Sequence, residues 1–146
     1  MKLFIDADGC PVTDIAVGLA NTYHIPCTIV CDTAHEISRK GADTVTVSKG
    51  ADSADFVIAN LAATGDIVVT QDYGLAAMCL SRGAVVLHQD GFAYTEQNID
   101  SLLFFRSESK RARRGGVRMK GPRKRTGAQN DAFYRTLEQL LQEAAI

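Results

Sequence analysis

No apolar run in this chain approaches the ~18 consecutive residues that a membrane span requires, so membrane insertion is not expected. The apolar region of a signal peptide is missing too, because Met1-Lys2-Leu3-Phe4-Ile5 reaches Asp6 after only three apolar residues. A cytoplasmic protein is the expectation. Without an export signal, the four cysteines Cys10, Cys27, Cys31 and Cys79 are expected as reduced thiols rather than a disulfide frame. Two of them fall in His24-x2-Cys27-x3-Cys31-x3-His35, four soft ligands of the kind that hold zinc. Yet Cys27-Thr28-Ile29-Val30-Cys31 reads as a buried strand. On a strand its two thiols would sit roughly 13 Å apart at ~3.3 Å per residue, too far to chelate one ion. They read as packing residues. Acidic residues are absent from 110–125, which holds nine basic ones: Lys110, Arg111, Arg113, Arg114, Arg118, Lys120, Arg123, Lys124 and Arg125. Elsewhere seven basic residues face 17 acidic ones, so the net charge of −1 conceals a strong separation of sign. Such separation points to an anionic partner for the basic segment.

What is present is the pattern of one α/β domain over 1–146. The chain is 146 residues long and 46% hydrophobic, enough for a single substantial core. Short β-branched apolar runs at Lys2–Ile5, Thr28–Cys31, Thr44–Val47, Asp66–Thr70 and Ala84–Leu87 alternate with helical patterns. The helices are expected from Pro11 to about Tyr23, from Ser53 to Ala63 with Phe56, Val57, Asn60 and Leu61 inward, and from Tyr73 to Ser81. Strands of that kind between helices belong to a parallel sheet covered on both faces. The expected class is a three-layer, doubly wound, mainly parallel α/β fold. Beyond residue 90 a helix is expected over Ile99–Arg106, with Phe104 and Phe105 at core spacing. A flexible Gly/Arg/Lys-rich segment over 107–127 and a closing helix over Asp131–Ala144 follow.

Ligands of such sheets sit outside the carboxyl ends of the strands, and the acids collect there. Asp6 and Asp8 close the first strand, Asp52 and Asp55 open the helix after the third, and Asp72 follows the fourth. Each has an ordinary role available. Asp52 and Asp72 stand where helix N-caps belong, Asp8 precedes a turn glycine, and Asp55 suits the positive end of a helix dipole. Together, carboxylates on three neighbouring chain ends repel one another unless a cation neutralises them. Hard oxygen ligands point to Mg²⁺ or Mn²⁺, ions that promote phosphodiester hydrolysis. Asp66 lies at the opposite end of its strand and is left out.

Several segments together resemble the YaiI/YqxD family, which is similar to the PIN-domain nucleases. They are Asp6-Ala7-Asp8-Gly9-Cys10-Pro11-Val12, Gly50-Ala51-Asp52-Ser53-Ala54-Asp55, and Val69-Thr70-Gln71-Asp72-Tyr73-Gly74-Leu75-Ala76. Gly121-Pro122-Arg123-Lys124-Arg125, followed by Asp131-x-Phe133, completes them. The resemblance implies a PIN-like fold and Mg²⁺- or Mn²⁺-dependent RNA cleavage. It would make Asp6, Asp55 and Asp72 metal ligands, with Asp8 and Asp52 in or next to the coordination sphere. The chain departs from the PIN pattern in having a second acid in its first strand and no clear mid-domain glutamate, Glu36 being the single candidate.

In this reading Asp6, Asp8, Asp55 and Asp72 are catalytic, and the nine cations of 110–125 contact a nucleic-acid backbone, RNA by the resemblance. Basic residues without interleaved aromatics position a strand rather than read its bases. Two alternatives stay open. Asp6-x-Asp8-Gly9 also resembles the nucleophile motif of haloacid-dehalogenase-like phosphatases, although Cys10 follows where threonine belongs. A non-catalytic nucleic-acid binder would keep the basic segment and lack turnover. Oligomeric state, a homodimer included, is not legible.

Overall fold

The computed structural model describes residues 1–48, 53–104 and 124–144. Five strands form one sheet: β1 (Leu3–Asp6), β2 (Cys27–Asp32), β3 (Asp43–Val47), β4 (Ile67–Val69) and β5 (Val85–Leu87). Their order is β3-β2-β1-β4-β5, and every neighbouring pair is parallel. Helices α1 (Thr13–Thr22), α2 (Ser53–Leu61), α3 (Tyr73–Ser81), α4 (residues 96–104) and α5 (Gly127–Ala144) complete the domain.

Alternation along the strands makes both faces apolar, which is why these segments read as continuous hydrophobic runs. Leu3, Ile5, Cys27, Ile29, Cys31, Ile67, Val69 and Leu87 pack with Ala16, Val17 and Ala20 of α1 and with Phe133, Leu137 and Leu141 of α5. On the opposite face, Phe4, Val30, Val68 and Val86 meet Ile58, Ala59 and Ala62 of α2, Leu75, Ala76 and Cys79 of α3, and Ile99 of α4. The result is the expected three-layer α/β arrangement. Cys27 and Cys31 pack as free thiols within the first core and Cys79 within the second.

Two helices turn a different face inward from the one expected. Along α2, Ile58 and Ala59 are buried, as is Ala62 just past its end, while Phe56 and Leu61 are exposed; Val57, of the expected face, is partly buried against the core. In α4, Phe104 of the two phenylalanines expected in the core is 68% exposed, Phe105 lies outside the described residues, and Leu102 and Leu103 pack.

Caps account for two helix starts that precede the expected ones. At α4 the Thr95 N–H donates to Asn98 Oδ1 (2.8 Å) and the Asn98 N–H to Thr95 Oγ1 (3.1 Å), a reciprocal cap. At α5 the Thr126 N–H donates to the Gln129 side-chain oxygen (2.8 Å), which moves the start from Asp131 back to Gly127. In contrast, α1 begins at Thr13, two residues after Pro11.

Candidate metal centre

Parallel topology decides where a site can form. From β1 the chain moves to β2 and β3 on one side, then returns across the sheet to β4 and β5 on the other. The carboxyl ends of β1 and β4 therefore flank the switch point, the usual ligand crevice of such a sheet. Asp6 is the last residue of β1, and Thr70-Gln71-Asp72 leads from β4 into α3. Two residues beyond Phe4, Asp6 faces the layer of α2 and α3, which carries Asp55 and Asp72.

Thr70 ties two of these acids together. It is 1% exposed, and its hydroxyl donates to Asp6 Oδ2 (2.8 Å) while accepting from the Asp72 N–H (3.0 Å). The incoming N–H occupies the acceptor side of the hydroxyl and so orients its single proton toward Asp6. Behind it, the buried Tyr94 hydroxyl donates to the Thr70 carbonyl (3.1 Å). Asp72 is the N-cap of α3: its Oδ1 accepts from the Gly74 N–H (2.8 Å) and the Leu75 N–H (3.2 Å). The cap fixes the rotamer of Asp72 at the crevice.

Electrostatically the centre is unbalanced. Burial pushes the Asp6 carboxyl from its ordinary 3.8 up to about 6; the Thr70 hydrogen bond opposes that rise, and the charges of Asp72 and Asp8 add to it. A carboxylate held against its own ionisation beside two others is a group that a cation would stabilise. Oxygen-only donors such as Asp6, Asp55 and Asp72 are of the kind that suit a hard divalent ion, but among the described residues the ligand atoms that lie within 4.8 Å of one another are those of Asp8, Asp32 and His35. Asp55 stands in the first turn of α2. Burial raises the Cys79 thiol of α3 and Arg82 lowers it, while Asp55 and Asp6 both stand near enough for their charges to raise it further.

Asp8 is exposed in the β1–α1 turn, where Gly9 adopts φ +66°, a conformation that side-chain-bearing residues seldom take. Its Oδ1 lies 3.6 Å from His35 Nδ1. An open cleft of about 430 Å³ is lined there by Ala7, Asp8, Cys10, His35, Glu36 and Ile37. Asp66, at the amino end of β4, is buried and accepts from the Lys2 and Ala63 N–H groups, both at 3.0 Å, as a purely structural acid. Asp52 lies outside the described residues, as do Lys110, Arg111, Arg113, Arg114, Arg118, Lys120, Arg123 and the rest of 105–123. Lys124 is exposed. Arg125 is engaged by the protein itself, reaching Asp90 Oδ1 (2.6 Å), the Gln89 carbonyl (2.6 Å) and Asn130 Oδ1 (2.8 Å).

The sequence reading missed Thr70 and Asp32, and it weighed His35 only beside His24, Cys27 and Cys31. Asp32 closes β2, and the rule that singled out the other strand-end acids would have found it. Thr70 carries no such signal, because its role arises from contacts made only in the fold.

The model described as "Uncharacterized BCR, YaiI/YqxD family" matches residues 4–143. The chain belongs to the YaiI/YqxD family. A UPF0178 protein of Exiguobacterium sibiricum is 48% identical, with 98% of each chain aligned. UPF0178 proteins of Clostridium acetobutylicum (43%, all of both chains) and Ruminiclostridium cellulolyticum (45%, 94% of this chain and 90% of the relative) are similar throughout. No solved structure matches the chain. Membership thus extends to both halves of the crevice, since 4–143 includes Asp6, Asp55 and Asp72.

Proposed function

We propose that this YaiI/YqxD protein is a divalent-metal-dependent, PIN-like nuclease that hydrolyses RNA phosphodiester bonds, with Asp6, Asp8, Asp55 and Asp72 as its catalytic acids. The observation that carries the reading is Asp6 at the topological switch point, its carboxyl raised to about 6 by burial and by neighbouring Asp72 and Asp8. Such a group gains most when a cation arrives. Mg²⁺ or Mn²⁺ bound there would supply an activated water and offset charge on the scissile phosphate.

Each side chain then has a defined task. Asp6, steadied by the Thr70 hydroxyl, would help to hold the cation. Asp72 is locked by its cap, and Asp55 approaches from α2. Asp8, exposed at the mouth, is placed to orient a water or the incoming strand, and Asp52 is assigned beside Asp55 by its spacing alone. The basic residues of 110–125 supply the positive charge that a phosphate backbone needs, with affinity falling as salt rises.

The test is cleavage of labelled single-stranded RNA in Mn²⁺ by the wild type and by Asp8→Asn/Asp72→Asn. Asparagine caps helices as well as aspartate, so α3 survives this change. Cleavage by the wild type alone, abolished by EDTA, is expected. Salt-sensitive RNA binding that is equal in both proteins, with no cleavage by either, would replace the nuclease reading with a non-catalytic binder.

A further inference from the structure

A second set of ligating atoms gathers one strand away from Asp6, and most of it plays no part in the proposed hydrolysis. Asp32 ends β2, which pairs with β1. Its Oδ1 accepts from the Ala34 N–H (2.9 Å), so the chain bends and returns His35 to the same oxygen, with Nδ1 at 3.1 Å. From β1–α1, Asp8 Oδ1 reaches that nitrogen at 3.6 Å. All three ligand atoms lie within 4.8 Å of one another. Donors held ~2.0–2.2 Å from one shared ion are separated by distances of this size.

The chemistry of the nitrogen is informative. An imidazole Nδ1 has either one proton or one lone pair, so it can satisfy only one of the two carboxylate oxygens directed at it. A cation accommodates all three donors at once. These atoms are also accessible: His35 and Asp8 side chains are 65% and 55% exposed, and both line the cleft of about 430 Å³ together with Glu36. Open coordination positions would face that cleft.

We propose that Asp8, Asp32 and His35 form a binding site for a borderline divalent transition ion, of the Zn²⁺ or Co²⁺ class. One imidazole and two carboxylates select such ions, whereas the oxygen-only crevice of Asp6, Asp55 and Asp72 selects harder ones. Apart from the shared Asp8, the site does not depend on RNA cleavage and stands if that activity is absent.

Zn²⁺ alone is the probe. Calorimetric titration of the intact protein is combined with ¹H–¹⁵N spectra of its three imidazoles, His24, His35 and His88. The expected result is a Zn²⁺-induced shift confined to His35. Affinity should fall at least about tenfold in both His35→Ala and Asp32→Asn, since even loss of an outer-sphere partner costs that much. In Asp72→Asn the His35 response should persist, which separates this site from the crevice. Unmoved His35 resonances at saturating Zn²⁺, or equal affinity in wild type and His35→Ala, would overturn the proposal. So would disappearance of the His35 response in Asp72→Asn.

Discussion

Replacing Asp6 by asparagine should stabilise the metal-free protein. The folded-state carboxyl is raised to about 6 from an ordinary 3.8, so the fold opposes its ionisation. In that window the unfolded chain gives up the proton first, and stability falls as pH rises through it and stays low above it. At 1.36 kcal/mol per pKa unit, the difference corresponds to about 3 kcal/mol at pH 8. Asparagine removes the charge, and its carbonyl oxygen can still accept the Thr70 hydroxyl. Allowing for imperfect pairing of the new amide, a net gain of about 2 kcal/mol is expected, or roughly 4–8 °C in Tm for a chain of this length. Thermal melts of EDTA-treated wild type and Asp6→Asn between pH 4 and pH 8 provide the assay. The gain should be full at pH 8 and shrink to a small remainder near pH 4, where the carboxyl is protonated in the folded state and about half ionised in the unfolded chain. Saturating Mn²⁺ should reverse the order, because a ligand at a hundred times its Kd stabilises by about 2.7 kcal/mol and only the wild type would bind it well. An Asp6→Asn protein that melts at or below the wild-type temperature at pH 8 would refute the reasoning.

Thr70→Val removes both the donor to Asp6 and the acceptor of the Asp72 N–H, and should cost about 1–3 kcal/mol in urea unfolding. It should also move the Asp6 midpoint, followed by carboxyl ¹³C shifts, above its present value near 6, whereas Thr70→Ser should restore both. Arg125→Ala removes the hydrogen bonds to Asp90 and the Gln89 carbonyl and should lower stability by about 1 kcal/mol, since the groups left behind are only part-buried and water can reach Asp90. Its effect on RNA affinity should be smaller than that of removing an exposed cation such as Lys124, because Arg125 is already engaged.

The layered architecture was legible because it is written in short patterns. Val68 and Val69, or Ile29 and Val30, point to opposite faces and both are apolar, which only a doubly covered sheet requires. Strand-end acids were legible for the same reason, since ending the apolar run fixes their place. Helix faces were less so. Choosing Phe56 and Leu61 over Ile58 and Ala59 weighted side-chain size, while the residues buried there are Ile58, Ala59 and the following Ala62. The starts of α4 and α5 depend on Thr95-x-x-Asn98 and Thr126-x-x-Gln129, capping patterns that are visible in the chain but easily passed over for the apolar stripe behind them. His35 drew notice only beside Cys27 and Cys31, a grouping that strand spacing argues against, and both cysteines do pack in the core. Of its real neighbours, Asp32 lies three residues before it at the end of β2, while Asp8 comes from the β1–α1 turn and meets it only in the fold.

The central claim is that carboxylates at the switch point hold a divalent cation. Mn²⁺ affinity at pH 7.5, measured by the loss of the free-ion electron paramagnetic resonance signal, tests it most directly in the wild type, Asp6→Asn, Asp55→Asn and Asp72→Asn. At least a tenfold loss of affinity in each variant, with the fold retained, is the predicted result. Equal Mn²⁺ affinity across all four proteins, or no binding by the wild type, would contradict it.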